Sequence, residues 1–391
     1  MADPASTPVV APARLITLFQ LLVVVVLWNS AYKGARVLNT LYALELGATP
    51  LDIGLLLSTY GVFPLLLAVK AGQIADRYGT RLPILAGMTV CTLGAILPWF
   101  EPSMTLLYAA AAVTGLGFIL GQVAFQSLVG LLGEGEARTW NFNIYALVIA
   151  VADFAGPVFS GFSIDHAGHV RTYLFLGALS AVATMVLIVL SRRVPNHRKP
   201  VDSPATDRVM DLFRDPDMRR VLIVGAVVMT GIDLFQLYLP LYGHEAGLSA
   251  SAIGMVLGAA AAATFVSRAL LPMLVRRYGE ETTLLHAIFL VAAMFTLIPF
   301  FKSAVVLGVI CFALGLGMGL GQPLTVMLCY RYSPAGRGGE SLGLRIAINN
   351  SMHVVIPAAF GAVGAAFGLA PVFWVSAVVL AAGNWFSRKR G

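Results

Sequence analysis

Apolar stretches of roughly 20 residues, separated by short polar breaks, run along almost the whole chain, and roughly 20 residues is the length an α-helix needs to cross about 30 Å of hydrocarbon. They fall at 15–43, 51–75, 82–100, 104–132, 138–166 and 171–191, then at 219–243, 250–275, 282–301, 304–331, 338–367 and 370–387. The period-2 alternation of a membrane β-barrel is absent. The pattern therefore predicts an all-α integral membrane protein with twelve transmembrane helices. A polar stretch with Pro195, Pro200, Pro204 and Pro216 divides them into six and six. The predicted organisation is an N-terminal six-helix bundle over 1–191, a linker over 192–218 outside the lipid, and a C-terminal six-helix bundle over 219–391. Within the linker, Asp207 to Phe213 has the composition of a short interfacial helix.

The two sets of helices repeat. Displaced by 200 positions without a gap, Leu41 meets Leu241, Tyr42 meets Tyr242, Gly47 meets Gly247, and Arg77-Tyr78-Gly79 meets Arg277-Tyr278-Gly279. The register continues through Gly121-Gln122 and Gly321-Gln322, Pro157 and Pro357, Gly161 and Gly361, and Gly168 and Gly368. Gly and Leu often coincide by chance in so apolar a chain; Tyr, Gln and Pro do not. An even number of spans separates each residue from its copy, so the two halves share one topology and should be pseudo-symmetric about an axis along the membrane normal.

Composition agrees with this pattern: of 391 residues, 58% are hydrophobic and 12% charged, with a mean hydropathy of +0.84, outside the range of soluble domains. Basic residues are sorted by side. Arg14, Arg77, Arg81, Arg138, Arg192, Arg193, Arg276, Arg277, Arg331, Arg337 and the terminal Arg388-Lys389-Arg390 fall on the side of the termini and linker, against Arg171 and Lys302 on the other. This asymmetry predicts a multi-pass protein of the cytoplasmic (inner) membrane with both termini in the cytoplasm. It also makes the net charge of +7 a matter of topology rather than a nucleic-acid footprint. No A-x-A-like site follows the first apolar run, so a cleaved signal peptide is not expected. Cys91, Cys311 and Cys329 lack CxxC spacing and read as small core hydrophobes, leaving disulfide and metal sites unsupported. No cofactor is expected.

Between the second and third spans lies Gly72-x-Ile74-Ala75-Asp76-Arg77-x-Gly79-x-Arg81. This run closely resembles the loop signature of the major facilitator superfamily, and the twelve-span duplication extends the resemblance over the whole chain. Each position has a physical reason: Gly72 permits close helix approach, Asp76 can hold a basic partner or a helix N-terminus, Gly79 suits a tight turn, and Arg77 and Arg81 anchor the loop. In the family this cluster latches one bundle to the other when the cytoplasmic side is closed. The second copy has Pro272 for Gly72 and Arg276 for Asp76, so no matching latch is expected there. Two further family patterns are incomplete. Ala111 stands where many proton-coupled exporters carry Arg on the fourth helix. The antiporter pattern on the fifth keeps Gly156-Pro157 and Gly161 but has Asn143, Ala152 and Ser160 at its other glycine positions.

An ionisable residue mid-span costs at least about 2.5–3.5 kcal/mol on insertion scales, so each is a site candidate. Asn29, Lys33, Arg36 and Thr40 form one stripe down the first helix. Gln122 and Gln126 form one on the fourth, Tyr145 and Asp153 on the fifth, Thr230, Asp233 and Gln236 on the seventh, and Arg345, Asn349 and His353 on the eleventh. With Gln322 and Arg268, these are the candidate substrate-binding residues; Asp153, Asp233 and His353 are the candidates for proton coupling. In the repeat Lys33 takes the position of Asp233 and Asp153 that of His353. A contact between Lys33 and Asp233 across the bundles would offset part of the cost of burying each; Asp153 and His353 are expected to find other partners.

Lys33, Arg36, Arg268 and Arg345 outnumber Asp153 and Asp233, an excess that favours an anionic or zwitterionic solute. Organic-anion carriers of the superfamily often place basic residues on the eighth and eleventh helices, which Arg268 and Arg345 resemble; both also lie near enough to the cytoplasmic ends for a gate role. No G-x-x-x-x-G-K-[ST] loop is present to bind ATP. The resemblance thus implies a monomeric secondary carrier and not an enzyme, whose partners are a small solute, protons and the lipid bilayer. Two rocking bundles are expected to enclose a site lined by the first, fourth, seventh and tenth helices, with efflux of a metabolite or drug-like compound favoured. Proton-coupled uptake of an organic anion, lipid flipping and a non-transporting sensor are the alternatives.

Overall fold

The computed structural model describes residues 12–131, 135–190, 209–334 and 338–387. The linker between Leu190 and Val209 and the Asp76 side chain lie outside the described residues. The regular elements among them are helices: α1 (Pro12–Glu45), α2 (Pro50–Tyr78), α3 (Arg81–Phe100), α4 (Met104–Leu131), α5 (Gly135–Ala167) and α6 (His169–Leu190). Then follow α7 (Val209–Arg214), α8 (Pro216–Glu245), α9 (Ala250–Tyr278), α10 (Glu280–Leu297), α11 (Ala304–Arg331), α12 (Gly338–Phe367) and α13 (Leu369–Ser387). Among the described residues, 11 helices are long and apolar enough to span a membrane, and the shorter apolar stretch Leu369–Gly383 of α13 stands as the twelfth. The remaining helix, α7, lies where the linker composition predicts one.

Local chemistry sets the helix ends. Thr49 and Asp52 form a capping box on α2, Ser249 caps α9 and Asp215 caps α8, each satisfying amides that the first turn leaves unpaired. The glycines of positive φ are Gly47, Gly79 and Gly168 in one half and Gly247, Gly279 and Gly368 in the other. Each is the copy of its partner 200 positions away, so the repeat is conformational as well as sequential.

Helices α1–α6 pack chiefly on one another, as do α8–α13. Two seams join the sets, α2 against α12 and α5 against α9. Both depend on glycine: a Cβ on Gly254 of α9 would meet the Pro157 carbonyl of α5 at 2.5 Å, and one on its copy Gly54 would strike the Pro357 carbonyl. These contacts cluster at the end of the molecule away from the chain termini. Trp28, Phe125 and Tyr173 are fully buried in the first set, and Tyr238, Phe295 and Phe373 in the second. Phe19, Leu66, Leu93, Val189, Phe289 and Val309 are exposed on the outside, and helices apolar on both inner and outer faces belong in lipid.

Candidate functional site

The polar stripe of α1 meets α5 at its closest crossing. A Cβ on Gly156 would lie 2.7 Å from the Ser30 carbonyl and 3.0 Å from the Gly34 amide nitrogen, so the two backbones all but touch there. This approach brings Lys33 Nζ to 2.7 Å from Asp153 Oδ1, with the side chains 21% and 30% exposed. In the second bundle Asp233 of α8 and His353 of α12 meet at 2.8 Å through Oδ1 and Nδ1, with exposures of 2% and 32%. The expected Lys33–Asp233 contact is therefore absent: each residue pairs within its own bundle, with the copy of the other's partner. The pseudo-two-fold relates one pair to the other rather than joining the members of a pair. Asp233 is sealed inside its bundle, and its Oδ2 has no partner among the described residues.

A cavity of about 980 Å³, including its mouth, lies between the bundles, and its walls include Lys33, Arg36, Thr40, Asp153, Gln236, Arg268 and Gln322. It is lined from α1, α2, α5, α8, α9 and α11. The expectation of a wall from the fourth helix is not met, because polar periodicity marks a stripe but not the direction in which it points. Gln126 is exposed away from the cavity, and neither it nor Gln122 lines the wall. Asn29 is buried and donates to the Val25 carbonyl of its own helix at 3.0 Å, while Asp233, Arg345, Asn349 and His353 also stand outside the lining.

Three cations and one carboxylate thus share the wall. Arg36 lies over the Tyr60 ring, 5.8 Å from its centroid. Tyr60 is fixed behind it by a chain in which the Tyr173 hydroxyl donates to Asn39 Oδ1 and Asn39 Nδ2 reaches the Tyr60 oxygen, both at 2.7 Å. Sequence reading missed Asn39, Tyr60 and Tyr173; the one available signal was Asn39, three residues beyond Arg36 on the same helix. Arg268 crosses between bundles, its Nη1 donating to the Ala146 carbonyl at 3.2 Å. Arg345 is 5% exposed and donates to Gln322 and Thr325.

The far end is closed on both flanks. Ser58 donates to the Val354 carbonyl at 2.7 Å across the α2–α12 seam. On the other flank, Asp165 of α5 accepts from the Ala250 and Ser251 amides at the start of α9, at 3.1 and 2.8 Å. A carboxylate at a helix N-terminus meets both unpaired amides and the positive end of the dipole. At the terminus-side loop, Gly79 turns with φ +82, Arg77 stacks on the neighbouring Tyr78, and Arg81 is half-buried. A Cβ on Gly72 would meet nothing nearer than Val123 of its own bundle, at 3.9 Å. The close approach of a neighbouring helix expected at Gly72 is not made in this conformation.

A family model described as Major Facilitator Superfamily matches residues 21–357. The tetracycline resistance protein, class G, of Vibrio anguillarum is 23% identical over 339 residues, 82% of this chain and 83% of that protein. Multidrug resistance protein D of Escherichia coli (strain K12) is 34% identical over 161 residues, 41% of this chain and 39% of that protein. Quinolone resistance protein NorA of Staphylococcus aureus is 23% identical over 149 residues, 38% of each chain. Among solved structures, the nucleoside transporter NupG matches with a TM-score of 0.78 at 12% identity, over 96% of this chain and 100% of that one. A bacterial homologue of the human lysosomal transporter Spinster, in an inward-facing and unoccupied conformation, matches with a TM-score of 0.78 at 14% identity over 96% of both chains. Identities this low establish the fold alone.

Proposed function

Because the chain belongs to the Major Facilitator Superfamily, we propose that it is an alternating-access carrier that exports a small zwitterionic organic solute in exchange for protons. The observation that carries this reading is the Lys33–Asp153 pair on the wall of a cavity whose other charged lining residues are Arg36 and Arg268. A zwitterion can open that pair without orphaning either charge: its ammonium group takes Asp153, and its carboxylate takes Lys33 with Arg36 and Arg268. Breaking such a pair without replacing both partners is strongly unfavourable. A proton on Asp153 removes the ammonium's partner, so proton and solute exclude one another. That exclusion is what couples exit of one to entry of the other.

Closure at the far end supports a state that receives solute from the side of the termini, and the excess of basic residues there supports a cytoplasmic location for that side. The names of the relatives point the same way. Resistance to a tetracycline or a quinolone is a consequence expected of export.

Liposomes containing the protein and loaded with norfloxacin, a zwitterionic quinolone, test the reading. An inward proton gradient should accelerate norfloxacin exit, and exit should draw protons inward. Exit indifferent to the gradient, or equal carriage of the decarboxylated analogue, would contradict it.

A further inference from the structure

We infer that Arg345 is a positioning residue that locks the Gln322 amide with its N–H donors toward the cavity, so that this wall reads a hydrogen-bond acceptor on the solute, a carboxylate or carbonyl oxygen. Only the identity of the occupant rests on the transport reading above.

Arg345 is buried and cannot itself line the cavity. Its Nη2 donates to Gln322 Oε1 at 2.5 Å, to Thr325 Oγ1 at 3.3 Å and to the Gln322 carbonyl at 3.4 Å. All three acceptors are neutral, and Nε has no partner among the described residues. A guanidinium has donors and no acceptor. Only the oxygen of the Gln322 amide can therefore face it, which removes the ambiguity that usually attends a glutamine side chain.

The amide nitrogen must then point the other way. That nitrogen, Nε2, donates one hydrogen to Met229 Sδ, 2.7 Å from it, a weak acceptor, and the second hydrogen is left for the cavity that Gln322 lines. An adjacent cation without a carboxylate polarises the amide and strengthens what it donates. A charge held out of the cavity thus acts there through a neutral group. The first bundle has no such device: the same two positions hold Gln122 and Tyr145, and a hydroxyl that both donates and accepts imposes no orientation on its neighbour.

The test uses the full-length protein in detergent, norfloxacin and its decarboxylated analogue, with melting temperature and binding affinity as readouts. Gln322→Glu places a carboxylate on Arg345 and removes the donor. It should raise the melting temperature yet weaken norfloxacin binding by roughly tenfold or more, the scale of one charge-assisted hydrogen bond. A Gln322 that merely packs would leave affinity unchanged in the same variant, which overturns the inference. Arg345→Met frees the amide and should reduce the preference for norfloxacin over its analogue; Arg345→Lys, still donor-only, should restore most of it. Equal loss in both Arg345 variants also overturns the inference.

If the wild-type protein binds neither compound, the zwitterion reading fails, and stability alone then decides on the lock. Gln322→Glu must raise the melting temperature beside Arg345 and lower it in an Arg345→Met background. The reverse order means that the amide oxygen does not face the guanidinium.

Discussion

Positions 33 and 153, and their copies 233 and 353, hold an acid–base pair in each bundle, but acid and base exchange helices between the two. In the first bundle the cation is on α1 and both partners reach the cavity; in the second the anion is on α8 and is sealed from it. The backbone gives the reason. Gly34 and Gly156 allow α1 and α5 to touch, whereas their copies are Leu234 and Ile356, whose side chains forbid such a crossing. Duplication has kept the place of a polar crossing and changed its chemistry, leaving one pair on the cavity wall and the other outside its lining.

Breaking the crossing should have the largest effect. Gly156→Leu drives a side chain into the Ser30 carbonyl and Lys33 Cβ, which would lie 2.7 and 2.8 Å from its first carbon. Because the obstacle is backbone, the cost should exceed the roughly 1–3 kcal/mol usual for overpacking, seen as loss of folded protein in fluorescence-detected size-exclusion chromatography. Ile356→Leu, at the copied position, should leave expression unchanged.

Double-mutant cycles on melting temperature sharpen the comparison. A fully buried pair costs about 3–5 kcal/mol to break; with a fifth to a third of each side chain exposed, coupling between Lys33→Ala and Asp153→Ala should be about 1–2 kcal/mol. Lys33→Ala and Asp233→Ala should be additive within error. Coupling in the second cycle but not the first would restore a contact across the bundles.

The smallest effect is expected at the far end. Asp165→Asn retains an acceptor for the α9 amides but loses its charge, so the clasp should weaken by about 1 kcal/mol, roughly a fivefold shift toward far-end opening. Spin labels at Glu101 and Lys302, exposed on opposite bundles at that end, would report a larger population of long distances. An unchanged distribution removes Asp165 from the gate.

Much of the architecture was legible in the sequence. Span-length apolar runs gave the helices, and the copied glycines at 47, 79 and 168 proved to be copied turns. The site was legible only in part. Lys33, Arg36, Arg268 and Gln322 reach the cavity, but the contact expected between Lys33 and Asp233 does not exist, because equal depth about a two-fold axis says nothing of distance from it. Arg345 shares a stripe with His353, and periodicity could not reveal that Gln322 stands between it and the cavity. Asp165, inside the predicted fifth span, was not singled out, since its partners are backbone amides that no side-chain pattern announces.

In the proposed exchange, solute and proton compete for Asp153 once the solute has opened its pair with Lys33. Norfloxacin affinity measured against pH, over the range in which the compound stays zwitterionic, tests this most directly. Affinity should fall on acidification in the wild-type protein and be insensitive to pH in Asp153→Asn. Affinity that rises on acidification, or the same pH dependence in both proteins, would contradict it.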